Sequence, residues 1–347
     1  MKTVNLGNTG IKVNKNGFGA LPIQRISDEE AVKLLHRAYD GGIRYFDTAR
    51  MYTDSEYKIG LAFEELFANR REEIYIATKT LAKNAEEFWR DLETSLEQLK
   101  TDYIDVYQFH NPSFCPKPGD GSGLYEAMVE AKAQGKIKHI GITNHRITVA
   151  REAVESGLYE TLQFPFSYIS TDEEIELMNK CVESGMGFVA MKGLAGGLLT
   201  DSKAAYGFMC QHEGVLPIWG IQKDSELEEF LSYQENQPVF DEEMKEYIER
   251  ERKELSGEFC RGCGYCMPCP ADIEINNCAR MSLMIRRAPE ADYMTEAWQA
   301  KMKKIENCIE CGQCKGKCPY GLNTPEILKK NLEDYKEQVS LKCQVLI

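Results

Sequence analysis

Short apolar runs rich in β-branched and aromatic residues recur through the first 240 residues: Ile43–Phe46, Ile74–Thr78, Ile104–Phe109, Ile137–Ile142, Leu162–Phe166, Phe188–Met191 and Val215–Trp219, with a weaker one at Gly17–Leu21. Between them the apolar period lengthens to that of a helix. In Ala85–Lys100, for example, Phe88, Leu92, Leu96 and Leu99 fall on one stripe. Ser27 with Glu30, and Thr171 with Glu174, have the spacing of capping boxes, while Gly41-Gly42, Gly135 and Gly185 stand where helices should stop. Eight strand signals, each followed by a helical one, predict an α/β protein built as a (β/α)8 TIM barrel. A doubly wound sheet is the rival. It would prefer a glycine-rich fingerprint after the first strand, of which Gly17-Phe18-Gly19-Ala20 is only a fragment.

Composition narrows the function classes. With 347 residues and 43% apolar content the chain is globular. A net charge of −13 argues against nucleic acid or an anionic membrane as a partner. No apolar run reaches the roughly 18 residues of a membrane span, and the N-terminus has no apolar segment of a signal peptide. A cytoplasmic, reducing location is expected, where thirteen cysteines point to metal or redox chemistry rather than disulfides. Only Cys115, Cys181 and Cys210 precede residue 241; the other ten lie between Cys260 and Cys343. The break predicts two domains, 1–238 and 239–347. The second holds 17 basic and 19 acidic residues, so nearly all the negative charge sits on the first.

Barrel chemistry sits on the loops after the strands' C-terminal ends. The second predicted barrel strand ends at Asp47, with Tyr52 five residues on; the third ends at Lys79 and the fourth at His110. An acid, a phenol, an amine and an imidazole on one rim suit reduction of a carbonyl. Hydride attack leaves charge on oxygen, and a proton must arrive. A phenol can donate it when a nearby ammonium favours the phenolate, a carboxylate can hold that ammonium, and an imidazole can orient the carbonyl. Singly, each residue has a plainer use, such as helix cap, loop residue or turn.

Asp47-Thr-Ala-Arg-Met-Tyr52-Thr-Asp-Ser-Glu56 resembles the signature of the aldo-keto reductases. So do Leu6-Gly7-Asn8-Thr9-Gly10, Gly141-Ile-Thr-Asn144, Gln163, Gly193-Leu-Ala-Gly-Gly-Leu198 and Gly220-Ile-Gln-Lys223, in register over residues 1–235. The resemblance implies a (β/α)8 barrel that transfers a hydride between NAD or NADP and a carbonyl or alcohol. It implies Tyr52 as general acid, Asp47 and Lys79 as its tuners and His110 as orienter. It also implies Asn144 and Gln163 on the nicotinamide carboxamide, with Met191, Lys192, Leu194, Gly196 and Lys223 along the rest of the nucleotide. Three positions depart from the family. Met191 stands where many members stack an aromatic on the nicotinamide, and Glu226 stands where many NADP-specific members are basic or neutral; Phe230 replaces a common Asn.

The tail carries Cys260-Arg-Gly-Cys263-Gly-Tyr-Cys266-Met-Pro-Cys269-Pro270 and Cys308-Ile-Glu-Cys311-Gly-Gln-Cys314-Lys-Gly-Lys-Cys318-Pro319. The second run matches the bacterial-ferredoxin pattern, and the first is one residue shorter in its last gap. In two-cluster ferredoxins the fourth ligand comes from the other run. That assigns Cys260, Cys263, Cys266 and Cys318 to one [4Fe–4S] cluster and Cys308, Cys311, Cys314 and Cys269 to another. A structural zinc ion is the simpler use of such pairs, though eight cysteines with two Cys-Pro endings exceed its needs. Cys115, Cys181, Cys210, Cys278 and Cys343 are expected to pack. Helices are expected at Asp241–Leu255 and Pro325–Tyr335, with Leu283, Met284 and Trp298 packing between the runs and a break at Ala288-Pro289. This describes a small, mainly α-helical ferredoxin-like domain. The combination resembles a branch of the reductase family found in anaerobes.

The expected function is therefore an oxidoreductase acting on a small carbonyl compound, coupled to or braced by two clusters. The alternative is an electron-transfer or redox-sensing partner protein that uses a flavin or an external ferredoxin. Nicotinamide gives two electrons together and each cluster takes one, so direct exchange needs a converter such as a flavin. The loop 111–123, with Phe114, Cys115 and three prolines, is expected to form a rigid, partly apolar lid.

Overall fold

The computed structural model describes residues 2–255, 257, 259–287 and 290–345. The expected break at Ala288-Pro289 lies outside the described residues, as does the side chain of Cys343. The chain divides into two compact units, Met1–Gly193 with Ser202–Arg250, and Leu194–Asp201 with Glu251–Ile347.

The first unit opens with an antiparallel hairpin, β1 (Thr3–Asn5) and β2 (Lys12–Asn14). Eight parallel strands follow: β3 (Gly17–Gly19), β4 (Tyr45–Asp47), β5 (Tyr75–Thr80), β6 (Ile104–His110), β7 (Ile137–Thr143), β8 (Thr161–Pro165), β9 (Gly187–Met191) and β10 (Val215–Gly220). They close as a barrel in chain order, with β10 pairing back onto β3. Both faces of such strands are covered, which is why they read as apolar runs rather than alternations. The doubly wound alternative is thereby excluded.

Helices α1 (Asp28–Asp40), α2 (Ser55–Arg70), α3 (Ala85–Leu99), α4 (Leu124–Ala133), α5 (Ile147–Ser156), α6 (Asp172–Glu183), α7 (Ser202–Met209) and α8 (Asp224–Glu235) join the strands. Both expected capping boxes form, with Glu30 N–H donating to Ser27 Oγ at 3.2 Å and Glu174 N–H to Thr171 Oγ1 at 3.3 Å. On α3 the stripe of Phe88, Leu92 and Leu99 is buried, and the helix stops at Lys100 in the left-handed region, φ 53°. Helix α2 crosses α3 closely at Gly60, where a Cβ would strike the backbone of Gln98 and Leu99.

The hairpin was not among the expected elements. Its strands are three residues each, too short for a periodicity to register. Its apolar residues Val4, Leu6, Ile11 and Val13 nevertheless alternate around the turn, and they join Tyr45, Ala77, Val106, Val189, Leu216 and Ile218 in one buried cluster.

The second unit is helical and has no strand among the described residues. Helix α9 (Glu242–Glu254) leads to it, followed by α10 (Ile275–Cys278), α11 (Met281–Arg287), α12 (Glu290–Tyr293), α13 (Glu296–Lys303), α14 (Gln313–Lys317) and α15 (Thr324–Val345). Helix α15 runs a further ten residues beyond the Tyr335 end expected for it. Asn331 ties α15 to the α10–α11 turn by donating to Ala279 O at 3.2 Å and accepting from Ser282 N–H at 2.8 Å. Arg286 forks onto Asp334 at 2.7 and 2.6 Å. Among the described residues no helix is long and apolar enough to cross a membrane.

Candidate functional site

Parallel pairing in register aligns the strand ends on one rim. Asp47 closes β4, Lys79 lies on β5 and His110 closes β6. All three are buried. Lys79 Nζ donates to Asp47 Oδ1 at 2.7 Å, to Asp47 Oδ2 at 2.8 Å and to Thr48 O at 2.6 Å, so its three protons are all engaged. Burial pulls the Lys79 ammonium down and pushes the Asp47 carboxyl up, and the charge of each opposes the shift of the other. Such a pair is costly to desolvate, so it is weak evidence for stability and is better read as a device for placing charge.

Tyr52 sits half-buried in the loop between β4 and α2. Its ring centroid is 5.3 Å from Lys79 Nζ, and its edge meets the His110 ring at 5.8 Å between centroids and 85° between planes. Burial, assisted by the charges of Lys79 and Lys192, pushes the His110 imidazole down to about 3. The ring is therefore neutral at every ordinary working pH.

The loop that carries Tyr52 is anchored from below. Glu56 is buried, pairs with Arg50, and accepts from Thr78 Oγ1 at 2.6 Å and Ser95 Oγ at 2.8 Å. Ser55 Oγ donates to Ala20 O at 2.9 Å. Glu56 belongs to the motif quoted above, yet its job as an anchor could not be read from it. Three non-glycine residues with positive φ, Thr53, Asn111 and Lys192, each directly follow a rim residue, namely Tyr52, His110 and Met191. Strain of this kind concentrates at functional sites.

Beneath the rim lies a polar layer that sequence reading missed in part. Gln108, two residues before His110 and thus on the same face of β6, donates to Gln163 Oε1 at 3.0 Å. Gln163 in turn donates to Asp47 Oδ1 at 3.3 Å and lies 3.8 Å from Met191 Sδ. Of the residues expected to hold a nucleotide, Gln163 and Met191 are therefore in the same cluster as Asp47 and Lys79. Asn144 is buried nearby, donating to Pro112 O at 2.8 Å and accepting from Arg146 N–H at 2.8 Å. Lys192 follows Met191, and its charge is felt by His110 and by the buried His145, whose imidazole is held well below the usual range by burial. His145 had no signal of its own; it became visible only once β6 and β7 were paired. The loop 111–123 is pinned through Asn111, whose Oδ1 accepts from His145 N–H at 3.0 Å; Cys115 is buried and Phe114 exposed.

Lys223 is exposed at the start of α8. Glu226, the residue flagged for its charge, accepts from Gln222 N–H at 2.9 Å and Lys223 N–H at 3.1 Å, so its carboxylate serves the helix N-terminus. Phe230 stacks on Trp219 at 4.4 Å and 18° and is buried. Leu194 and Gly196 fall in the second unit.

In the second unit the eight run cysteines ring two cavities. Cys260, Cys263, Cys266 and Cys318 line one, with Leu322 and Ile327. Cys269, Cys308, Cys311 and Cys314 line the other, with Ile309 and Leu328, and Cys266 borders it as well. Each set takes three cysteines from one run and the Cys-Pro cysteine from the other. Among the described residues no three His, Cys, Asp or Glu side chains converge as one metal ion would require. Four thiols spaced around an apolar void fit an iron–sulfur cube better than a tetrahedral ion with all its ligands about 2.3 Å from one centre. Gly262 N–H donates to Cys260 Sγ at 3.4 Å, a bond that also suits a cluster ligand. Cys181, Cys210 and Cys278 are buried.

The profile of the aldo/keto reductase family matches residues 15–216, more than half of the chain. A 4Fe-4S dicluster domain matches residues 259–323. The chain is 30% identical over 212 residues to L-galactose dehydrogenase of Arabidopsis thaliana, covering 56% of this chain and 66% of the relative. It is 36% identical over 135 residues to methylglyoxal reductase of Salmonella typhi, covering 38% of this chain and 48% of that one. The chain thus spans just under two thirds of the first relative and about half of the second. An aldo-keto reductase from Klebsiella pneumoniae, solved in complex with NADPH, superposes with a TM-score of 0.62 at 22% identity, over 72% of this chain and 94% of that one, a likeness of fold. With the family profile matched over more than half of its length, the chain belongs to the aldo/keto reductase family and carries a 4Fe-4S dicluster domain after the barrel.

Proposed function

We propose that the protein reduces a small carbonyl compound, or oxidises the matching alcohol, at the barrel rim, and that its tail holds two [4Fe–4S] clusters. The observation that carries the reading is the buried Lys79–Asp47 pair, with Lys79 Nζ 5.3 Å from the Tyr52 ring centroid and the neutral His110 ring 5.8 Å from it, edge to face. NAD or NADP supplies the hydride when bound. Tyr52 gives the carbonyl oxygen its proton, and the Lys79 charge stabilises the negative charge left on the phenol oxygen. Asp47 holds Lys79 in place, and His110, neutral, hydrogen-bonds the carbonyl oxygen without competing for the proton. Asn144, Gln163, Met191, Lys192 and Lys223 bind the nucleotide. With Glu226 engaged at the start of α8, its carboxylate leaves the choice between NAD and NADP to Lys223.

The domain division at 238/239, a cytoplasmic location and docking of a redox protein at the tail belong to the same reading. Its test is the content of protein purified without oxygen. Mass spectrometry of the released small molecules is expected to find a nicotinamide nucleotide, with about eight irons per chain. A bound flavin in its place would favour the electron-transfer alternative, because a flavin converts two-electron to one-electron flow.

Ligand exchange between the runs makes a second expectation. Cys318→Ala removes one ligand from the set of Cys260, Cys263 and Cys266, and Cys269→Ala removes one from the set of Cys308, Cys311 and Cys314. Each variant is expected to lose one cluster and keep the other, read as about half the iron and sulfide with one of two EPR signals gone. Loss of both cluster signals from each variant would contradict independent sites.

A further inference from the structure

Arg280 lies in the turn between α10 and α11. Its guanidinium is pressed against Gly262, the residue between Cys260 and Cys263. A Cβ on Gly262 would stand 2.9 Å from both Cζ and Nη1 and 3.2 Å from Nε. On its other side Nη1 meets Gly196, where a Cβ would stand at 2.9 Å. Both glycines have positive φ, 67° at Gly196 and 64° at Gly262. Two side-chain-free positions thus make the slot the guanidinium fills. Nε and Nη1 are buried and have no hydrogen-bond partner among the described residues. Arginine cannot shed its charge, and buried N–H groups without acceptors are costly, so the slot needs an acceptor of negative charge close by. Cys260 and Tyr293 both act on the Arg280 charge, and of the two it is Cys260 that carries negative charge as a cluster ligand.

The surroundings of the two cysteine sets also differ in sign. Arg261 lines the first cavity and Arg280 backs it, whereas the charged residue lining the second is Glu310. Positive charge and N–H donors beside an iron–sulfur cluster stabilise its reduced form, and a carboxylate does the reverse.

We propose that Arg280 is a positioning residue of the cluster held by Cys260, Cys263, Cys266 and Cys318, donating N–H bonds to its sulfur atoms and making it the higher-potential cluster of the two. The inference rests on the two-cluster reading given above. An electron entering the tail then comes to rest on the first cluster, and the second is the harder to reduce. The same side chain holds the segment Leu194–Asp201 in the unit with the clusters, together with Arg287, whose Nε donates to Leu198 O at 2.7 Å.

The test is an EPR-monitored redox titration of the full chain purified without oxygen, comparing wild type with Arg280→Gln and Arg280→Lys. Wild type is expected to show two reduction waves. Arg280→Gln is expected to make the higher-potential cluster at least tenfold harder to reduce, a drop of about 59 mV for one electron, and to leave the other wave in place. Arg280→Lys, which keeps the charge but loses the fork of donors, should fall between. An unchanged upper wave in both variants, or movement of the lower wave instead, would overturn the assignment. Should Arg280→Gln lose iron, the lysine variant alone decides, and an upper wave at the wild-type position refutes it. A wild-type protein without two [4Fe–4S] signals would instead sink the cluster reading itself, and iron analysis on the same sample separates the two failures.

Discussion

Tyr52→Phe is expected to lower kcat for carbonyl reduction about a hundred- to ten-thousand-fold, the usual worth of a positioned general acid. The substitution removes one hydroxyl and nothing else. The ring keeps its edge contact with His110 and its place beside Lys79, which involve the aromatic carbons. Glu56, Ser55 and Thr48 hold the loop through hydrogen bonds that the substitution leaves in place. Nucleotide affinity and thermal midpoint should therefore stay near wild type. The assay is consumption of NAD(P)H with a panel of small aldehydes and ketones, alongside a fluorescence titration of nucleotide binding. A variant that keeps full kcat, with binding intact, would remove the phenol from the chemistry and with it the role given to the Lys79–Asp47 pair.

The second large effect is on stability in mild acid. An unfolded histidine takes up a proton near pH 6.5. In the folded chain His110 does not do so until about pH 3, and burial holds His145 well below its usual range. Between these limits the unfolded chain binds more protons than the folded one. Stability is then fully present above pH 6.5 and falls as the pH drops toward 3. At about 1.4 kcal/mol per pH unit, His110 alone costs about 2 kcal/mol between pH 7 and pH 5, and His145 adds to the loss in the same direction. Urea unfolding followed through Trp89 and Trp219 would read this as a fall in midpoint. Replacing both histidines with asparagine should flatten the dependence over this range, since the folded carboxylates with lowered values, such as Glu160 at about 2, respond only at lower pH. A double variant with the wild-type slope would show that the protons bind elsewhere.

Much of this protein is legible in its sequence. Local rules were sufficient for the eight barrel strands, the stripe on α3 and the caps at Ser27 and Thr171, because each depends on residues a few positions apart. The run of four cysteines ending in Cys-Pro is legible for the same reason, since a cluster demands close ligands at set spacing. Asp47, Lys79 and His110 could be picked out because a barrel strand's last residue has one place to go. The hairpin was missed because three-residue strands leave no period to detect. Gln108 was passed over although it shares a face with His110, because a glutamine inside an apolar strand says nothing until its partners, Gln163 and Asp47, are brought in from two other strands.

Periodicity and spacing along the chain were enough to specify the barrel, the rim residues and two cysteine runs, because all of these are written in intervals of a few residues. What they could not specify is anything set by contacts between distant segments. Closure of the barrel put Lys79 within reach of Asp47 and buried both, so the pair's charge acts in a medium that screens it little. Burial between strands made His110 and His145 neutral. The folding of the tail slid Arg280 between two glycines separated by 66 positions in sequence. Each of these is a change in solvation and electrostatics, and a residue's solvation depends on every segment packed around it.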